Sequence, residues 1–216
     1  MKKLVIFDLD GTLLNTIADL AHSTNHALNK LGYPTHEIEK YNFMVGNGID
    51  KLFERALPEG EKSKENVWRV RKEFVPYYDI HNADDSRPYP GIPELLSYLQ
   101  DAGIQIAVAS NKYQAATQKL IGHYFPEIHF TAVFGQREGI KVKPDPTVVF
   151  DILEIAKVTK EEVLYVGDSG VDMQTAANAG VTACGVTWGF RPRAELEEFS
   201  PQYIVDTAEE IKCLIL

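Results

Sequence analysis

The chain predicts an α/β fold: a parallel sheet with helices on both faces, interrupted by one inserted helical unit. Three observations carry this. The run LVIF from Leu4 is apolar without polar alternation and stops at Asp8 and Asp10, the pattern of a strand buried on both faces. Farther along, apolar runs alternate with helical patterns to the end of the chain, the signature of βαβ units. Residues 15–84 break that alternation, holding several helical patterns and no convincing strand, where a crossover needs only one helix.

Taken in order, the first strand ends at the two aspartates. Helical patterns follow at residues 17–31, 49–57 and 67–78. They assign residues 15–84 to a helical cap and residues 1–14 with 85–216 to the sheet-bearing core. The polar, Pro-rich stretch HNADDSRPYPGIP at residues 81–93 marks the return to the core. From there a helix is expected over 93–102, a strand over 104–109, a helix over 114–123 and a strand over 132–134. A helix over 146–156, a strand over 163–166, a helix over 173–179 and strands over 181–186 and 203–205 complete the pattern.

Bulk properties narrow the function. At 216 residues, 44% hydrophobic and 25% charged, the chain suits one α/β core plus a smaller appended unit. No stretch approaches the ~20 apolar residues that span a bilayer, and Met-Lys-Lys leads straight into a strand, so neither a signal peptide nor a membrane span is expected. Cys184 and Cys213 are too few for a disulfide framework, which is compatible with a reducing cytoplasm, the expected location. A net charge of -9 argues against nucleic acid as partner. An anionic substrate would therefore need local positive charge from a metal ion, one or two lysines, or backbone amides.

Four short motifs carry chemistry: Asp8 with Asp10 in DLDGT, Ser110-Asn111, Lys143 in KPDP, and Asp168 with Asp172 in GDSGVD. Three of them stand at the ends of apolar runs, and strand ends on one edge of a parallel sheet converge on one crevice. A calcium loop fails on spacing. Counting from Asp8 puts Leu13 at position six and Asp19 at position twelve, where an EF-hand needs Gly and Glu. Taken alone, Ser110 or Asn111 reads as an N-cap for the next helix, Lys143 as a loop lysine that Pro144 and Pro146 restrain, and Ser169 with Asp172 as a capping box with Asp replacing Glu.

Together and in this order, these motifs resemble the haloacid dehalogenase superfamily over essentially the whole chain. The resemblance implies a Rossmann-like core with strand order 5-4-1-2-3, a cap inserted after the first motif, Mg2+ as cofactor, and hydrolysis of a small phosphate ester through an aspartyl phosphate. It would make Asp8 the nucleophile and Asp10 the general acid and base. Asp8, Asp168 and the Asp10 backbone carbonyl would bind the metal. Ser110, Asn111 and Lys143 would bind the transferring phosphoryl group together with Asp8 and Asp10, while Asp172 and Ser169 support them. Asp10 argues against dehalogenation, which has no acid at that position.

Gly46-Asn47-Gly48, the SNK at 110–112 and GVTWGF at 185–190 resemble the phosphoglycolate phosphatase subgroup. They nominate Gly46, Asn47, Gly48, Lys112 and Arg191 as specificity residues, although GNG reads equally as a turn needing positive φ. Trp188 and Phe190 read as rim packing, and His22 with His26 as a solvated or cap-lining face. Asn15 departs from the Asp common there in the family. Phosphoglycolate is the expected substrate, with pyrophosphate, nucleotides, sugar phosphates, a phosphomutase activity or a non-catalytic phosphorylation switch as alternatives. The sequence leaves monomer and homodimer open.

Overall fold

A computed structural model describes residues 1–215. The chain runs β1 (Leu4–Phe7), β2 (Leu14–Asn15), α1 (Ile17–Lys30), a 3-10 turn (Ile38–Phe43), α2 (Ile49–Ala56), α3 (Lys64–His81) and β3 (Arg87–Pro88). It continues α4 (Ile92–Asp101), β4 (Gln105–Tyr113), α5 (Gln114–Tyr124), β5 (Ala132–Gln136), α6 (Thr147–Ala156) and β6 (Val163–Gly167). Last come α7 (Gly170–Ala179), β7 (Thr182–Val186), α8 (Arg193–Glu198), β8 (Tyr203–Val205) and α9 (Ala208–Cys213).

Six strands form one sheet in the order β5-β4-β1-β6-β7-β8, every neighbouring pair parallel. With β2 and β3 set aside, the core strands in chain order give 6-5-4-1-2-3. The expected 5-4-1-2-3 lies inside this order, extended by Tyr203–Val205 at one edge. β1 is central because both its faces are apolar. Val5 and Phe7 pack with α4, α5 and α9 on one side, and Leu4 and Ile6 with α6, α7 and α8 on the other. At roughly 25 cal/mol per Å² of buried apolar surface, such two-faced burial is what excludes β1 from an edge.

Residues between α1 and α3 build their own apolar cluster, including Leu28, Tyr41, Phe53, Val70 and Phe74, with Ala116 of the sheet-bearing part joining it. The antiparallel β2–β3 pair, Leu14 opposite Pro88 and Asn15 opposite Arg87, stands at the two ends of this helical stretch. Buried Asp19 ties the same junction. Its carboxylate accepts hydrogen bonds from the N–H groups of Asp85 (2.9 Å) and Ser86 (2.8 Å) and from the Ser86 hydroxyl (2.6 Å).

Candidate active site

Asp8 follows β1 directly and Asp168 follows β6 directly, and the last residues of these paired strands, Phe7 and Val166, lie in register. Topology therefore brings together carboxylates 160 positions apart in the sequence. Asp8, Asp168 and Asp172 offer carboxylate oxygens within 4.8 Å of one another, all three residues buried. Like charges this close require a cation, and Lys143 supplies one. Its ammonium lies 2.7 Å from Asp172 Oδ1 and 3.0 Å from Asp8 Oδ1, and it donates to the Ala109 carbonyl at 2.8 Å.

Burial alone would lower the Lys143 ammonium, but Asp172 and Asp8 outweigh it and hold it well above the usual lysine range. Burial raises the Asp8 carboxyl; Lys143 opposes this, Asp172 and Asp10 add to it, and the outcome is about 7. Burial first, then Asp172 and Asp8, push Asp168 well above the carboxylate range.

These carboxylates differ in what else they accept. Asp172 is saturated: Oδ1 takes Lys143, while Oδ2 takes the Ser169 hydroxyl at 2.6 Å and N–H at 3.2 Å. It therefore caps α7 and pairs with Lys143 at once. Asp8 Oδ1 is buried without a hydrogen bond, since its 3.0 Å approach to Lys143 is a charge contact whose angles fall short of one. Asp168 accepts one short bond, from the Phe190 N–H at 2.7 Å, and a long one from Thr12 Oγ1 at 3.4 Å. Two buried carboxylates with lone pairs to spare fit a hard divalent cation. Asp10 directs its side chain to Thr16 and Lys112, accepting from Thr16 Oγ1 at 2.7 Å and from Lys112 Nζ at 3.1 and 3.2 Å.

Glycines make the approach possible. Gly11 has φ +88°, and a Cβ there would collide with the Asp168 carboxylate. A Cβ on Gly189 would strike Asp168 and the Gly11 carbonyl.

Asp8, Asp10, Ser110, Asn111, Lys112, Asp168, Ser169, Gly46, Gly48 and Arg191 line one crevice of about 630 Å³ including its open mouth. Lys143 and Asp172 sit beneath it. Gly46 (φ +116°) and Gly48 (φ +86°) combine the turn role with pocket lining. Asn47 does not join them, because its side chain accepts from Arg55 at 2.7 Å. His22 and His26 stay outside: His26 stacks on Tyr77 at 3.8 Å and His22 lies 3.5 Å from Asp85. Asp19, His22 and Asp85 also cluster, but the Asp19 oxygens already hold the Asp85–Ser86 backbone.

Three expectations need correction. Ser110 and Asn111 do not cap the next helix, because β4 stays extended through them to Tyr113, which is the N-cap of α5. Nor is the Asn111 amide free to bind a phosphoryl group. Its Oδ1 accepts the Lys143 N–H at 2.8 Å, and its Nδ2 donates to the carbonyls of Lys143 (3.1 Å) and Gly46 (3.0 Å). Arg191, nominated as a specificity residue, lines the crevice but is already engaged, its guanidinium donating to the Asn42 carbonyl at 2.5 Å and the Val45 carbonyl at 2.9 Å, with Nε 3.6 Å from the Glu195 carboxylate.

The sequence reading missed Thr12, Thr16, Gly189 and the Phe190 N–H. The GT of DLDGT and the GF of GVTWGF were visible, but nothing local says which carboxylate they meet. Trp188 is more than rim packing, because its Nε1–H donates to the Thr12 carbonyl at 3.1 Å and pins the turn after Asp10.

A carboxylate pair at the ends of neighbouring parallel strands, with a buried lysine that links one of them to a third acid, suits a hydrolase site, and the family model for haloacid dehalogenase-like hydrolases matches residues 5–186. The chain belongs to that family. Among its relatives is the phosphoglycolate phosphatase of Vibrio parahaemolyticus, 32% identical over 97% of this chain and 94% of the relative. That of Agrobacterium fabrum is 34% identical over 95% and 89%. The crystal structure of a provisionally assigned phosphoglycolate phosphatase from Lactobacillus delbrueckii subsp. bulgaricus superposes with a TM-score of 0.93 at 33% identity, covering 100% of this chain and 99% of that one. No helix among the described residues is long and apolar enough to cross a membrane.

Proposed function

We propose that this hydrolase cleaves a small phosphate monoester, 2-phosphoglycolate, through a phosphoaspartate on Asp8. The observation that carries the reading is the buried Asp8 oxygen without a hydrogen bond, flanked by Lys143 and Asp168 at the floor of the crevice. The naming of full-length relatives at about 30% identity supports the substrate. Residues 15–84 act as a cap that shields the substrate from water.

Mg2+ fits the Asp8 and Asp168 carboxylates with the Asp10 carbonyl, and when bound it supplies positive charge for the phosphoryl oxygens and favours ionised Asp8. Asp8 attacks phosphorus, the ester P–O bond breaks, and Asp10 gives its proton to the leaving oxygen. Asp10 then takes a proton from water, which attacks phosphorus and releases phosphate and the Asp8 carboxylate. Lys143 and the Ser110 hydroxyl stabilise charge on the phosphoryl oxygens, a task for fixed donors because little covalent chemistry remains for the protein. Asn111 contributes by fixing the Lys143 backbone. A cytoplasmic setting accords with the free thiols of Cys184 and Cys213.

The test is magnesium-dependent phosphate release from phosphoglycolate, pyrophosphate, nucleotides and hexose phosphates, with Asp8→Asn as control. Phosphoglycolate should give the highest kcat/KM, with Asp8→Asn reducing it at least ~10³-fold. Undiminished turnover in that variant would remove the phosphoaspartate, and a tenfold preference for another ester would replace the substrate.

A further inference from the structure

We propose that Lys112 sets the substrate class, its ammonium receiving a carboxylate borne on the same carbon as the ester oxygen, so that phosphates of 2-hydroxy acids are preferred. This rests on the phosphatase reading and narrows it to a residue. The cations at the crevice lead there by elimination. Lys112 and Arg191 are its cationic lining side chains. Arg191 already donates to the Asn42 and Val45 carbonyls, with Nε 3.6 Å from Glu195. Lys143 is committed to Asp172, Asp8 and the phosphoryl group, which leaves it unavailable to a second anionic group.

Lys112 is held differently. Its side chain is only 3% exposed, its ammonium contacts the two oxygens of the single Asp10 carboxylate, and the Tyr78 ring lies 4.7 Å from it. An ammonium carries three N–H donors, so one remains for a ligand in the crevice. Backbone geometry fixes the stem, because the Lys112 N–H donates to Ser110 Oγ at 3.2 Å.

Position then selects the ligand. Asp10 as general acid must lie within about 2.6–3.2 Å of the ester oxygen, and Lys112 Nζ is 3.1 Å from an oxygen of that same carboxylate. A group bound to Lys112 is thus close to the ester oxygen, as a carboxylate on the ester-bearing carbon would be. Leu20, Ile49, Leu52 and Phe74 line the same crevice with apolar surface, which offers no partner to a charge carried one carbon farther from Lys112. A polyol against that surface would lose its water without finding partners.

The experiment compares kcat/KM for phosphoglycolate with that for ethyl phosphate, which has the same length and no carboxylate, in the native protein and in Lys112→Met. The ratio is the readout, because loss of the Asp10 contact affects both esters alike. The native ratio should favour phosphoglycolate, and Lys112→Met should reduce it about tenfold to a hundredfold, the worth of one hydrogen bond to a charged group. An unchanged ratio would overturn the proposal while leaving the phosphatase standing. A measurement on the native protein alone guards against a misfolded variant. The phosphate ester of 3-hydroxypropionate, with its carboxylate one carbon farther, should have a kcat/KM at least tenfold below phosphoglycolate, and equal values would overturn the proposal. Failure to hydrolyse any of these esters would overturn the phosphatase reading with it.

Discussion

Lys143 is the residue on which the floor of the site depends. Its ammonium faces Asp172, whose side chain is fully buried, and Asp8. Removing one partner of a buried charge group leaves the others uncompensated, at a cost of about 3–5 kcal/mol. Lys143→Met should therefore lower stability by about that amount in urea unfolding and abolish turnover. A loss below 1 kcal/mol would mean that the carboxylates are neutral or hydrated without it. Gly189→Ala makes a sharper claim, because the added methyl would overlap Asp168. It should weaken Mg2+ activation at least tenfold while Asp8 and Lys143 remain in place, and an unchanged magnesium titration would refute the contact. The acids themselves were legible, since a strand end is written into the local pattern. Thr12, Thr16 and Gly189 were not, because their partners lie far away in the chain or across a turn that no periodicity encodes.

Segments rather than single side chains decide how the helical part meets the sheet. The loop after β7 sends Trp188 to the Thr12 carbonyl, the Phe190 N–H to Asp168, and Arg191 to the carbonyls of Asn42 and Val45. Asn111 grips the next carbonyl, Gly46, and holds the Lys143 backbone with the same amide. Residues 42–46 are thus fastened over the crevice by two side chains of the core. Arg191→Met should loosen that fastening without touching the reacting groups, raising KM about tenfold with kcat changed less than threefold. A fall in kcat at constant KM would place Arg191 in the chemistry instead. Long buried strands and amphipathic helices were readable at this scale. β4 was read short because its last residues, SNKY, are polar yet stay extended. The β2–β3 pair and the six-residue α8 and α9 are too short for any period to register.

Over the whole molecule, folding gathers Asp8, Asp168 and Asp172 from the ends of β1 and β6 and the start of α7, and this links stability to pH and to metal. In the folded protein without metal, Asp8 is raised to about 7 and Asp168 is raised well above the carboxylate range, whereas the unfolded chain has ordinary values. Between the ordinary range and about 7 the folded state therefore binds more protons than the unfolded one, so unfolding releases protons and stability falls as pH rises through that window. The contribution is fully present below the unfolded carboxylate value and lost above the folded one. A divalent cation acts in the opposite sense. It binds the ionised carboxylates of the folded state, stabilising by about 2.7 kcal/mol at one hundred times its Kd, and protons compete with it. For a chain of this size that is roughly 5–10 °C in Tm. Calorimetry with EDTA and with excess Mg2+ should show a larger rise in Tm at pH 8 than at pH 5.5. Equal shifts at the two pH values, or none at either, would show that these carboxylates do not form the cation site.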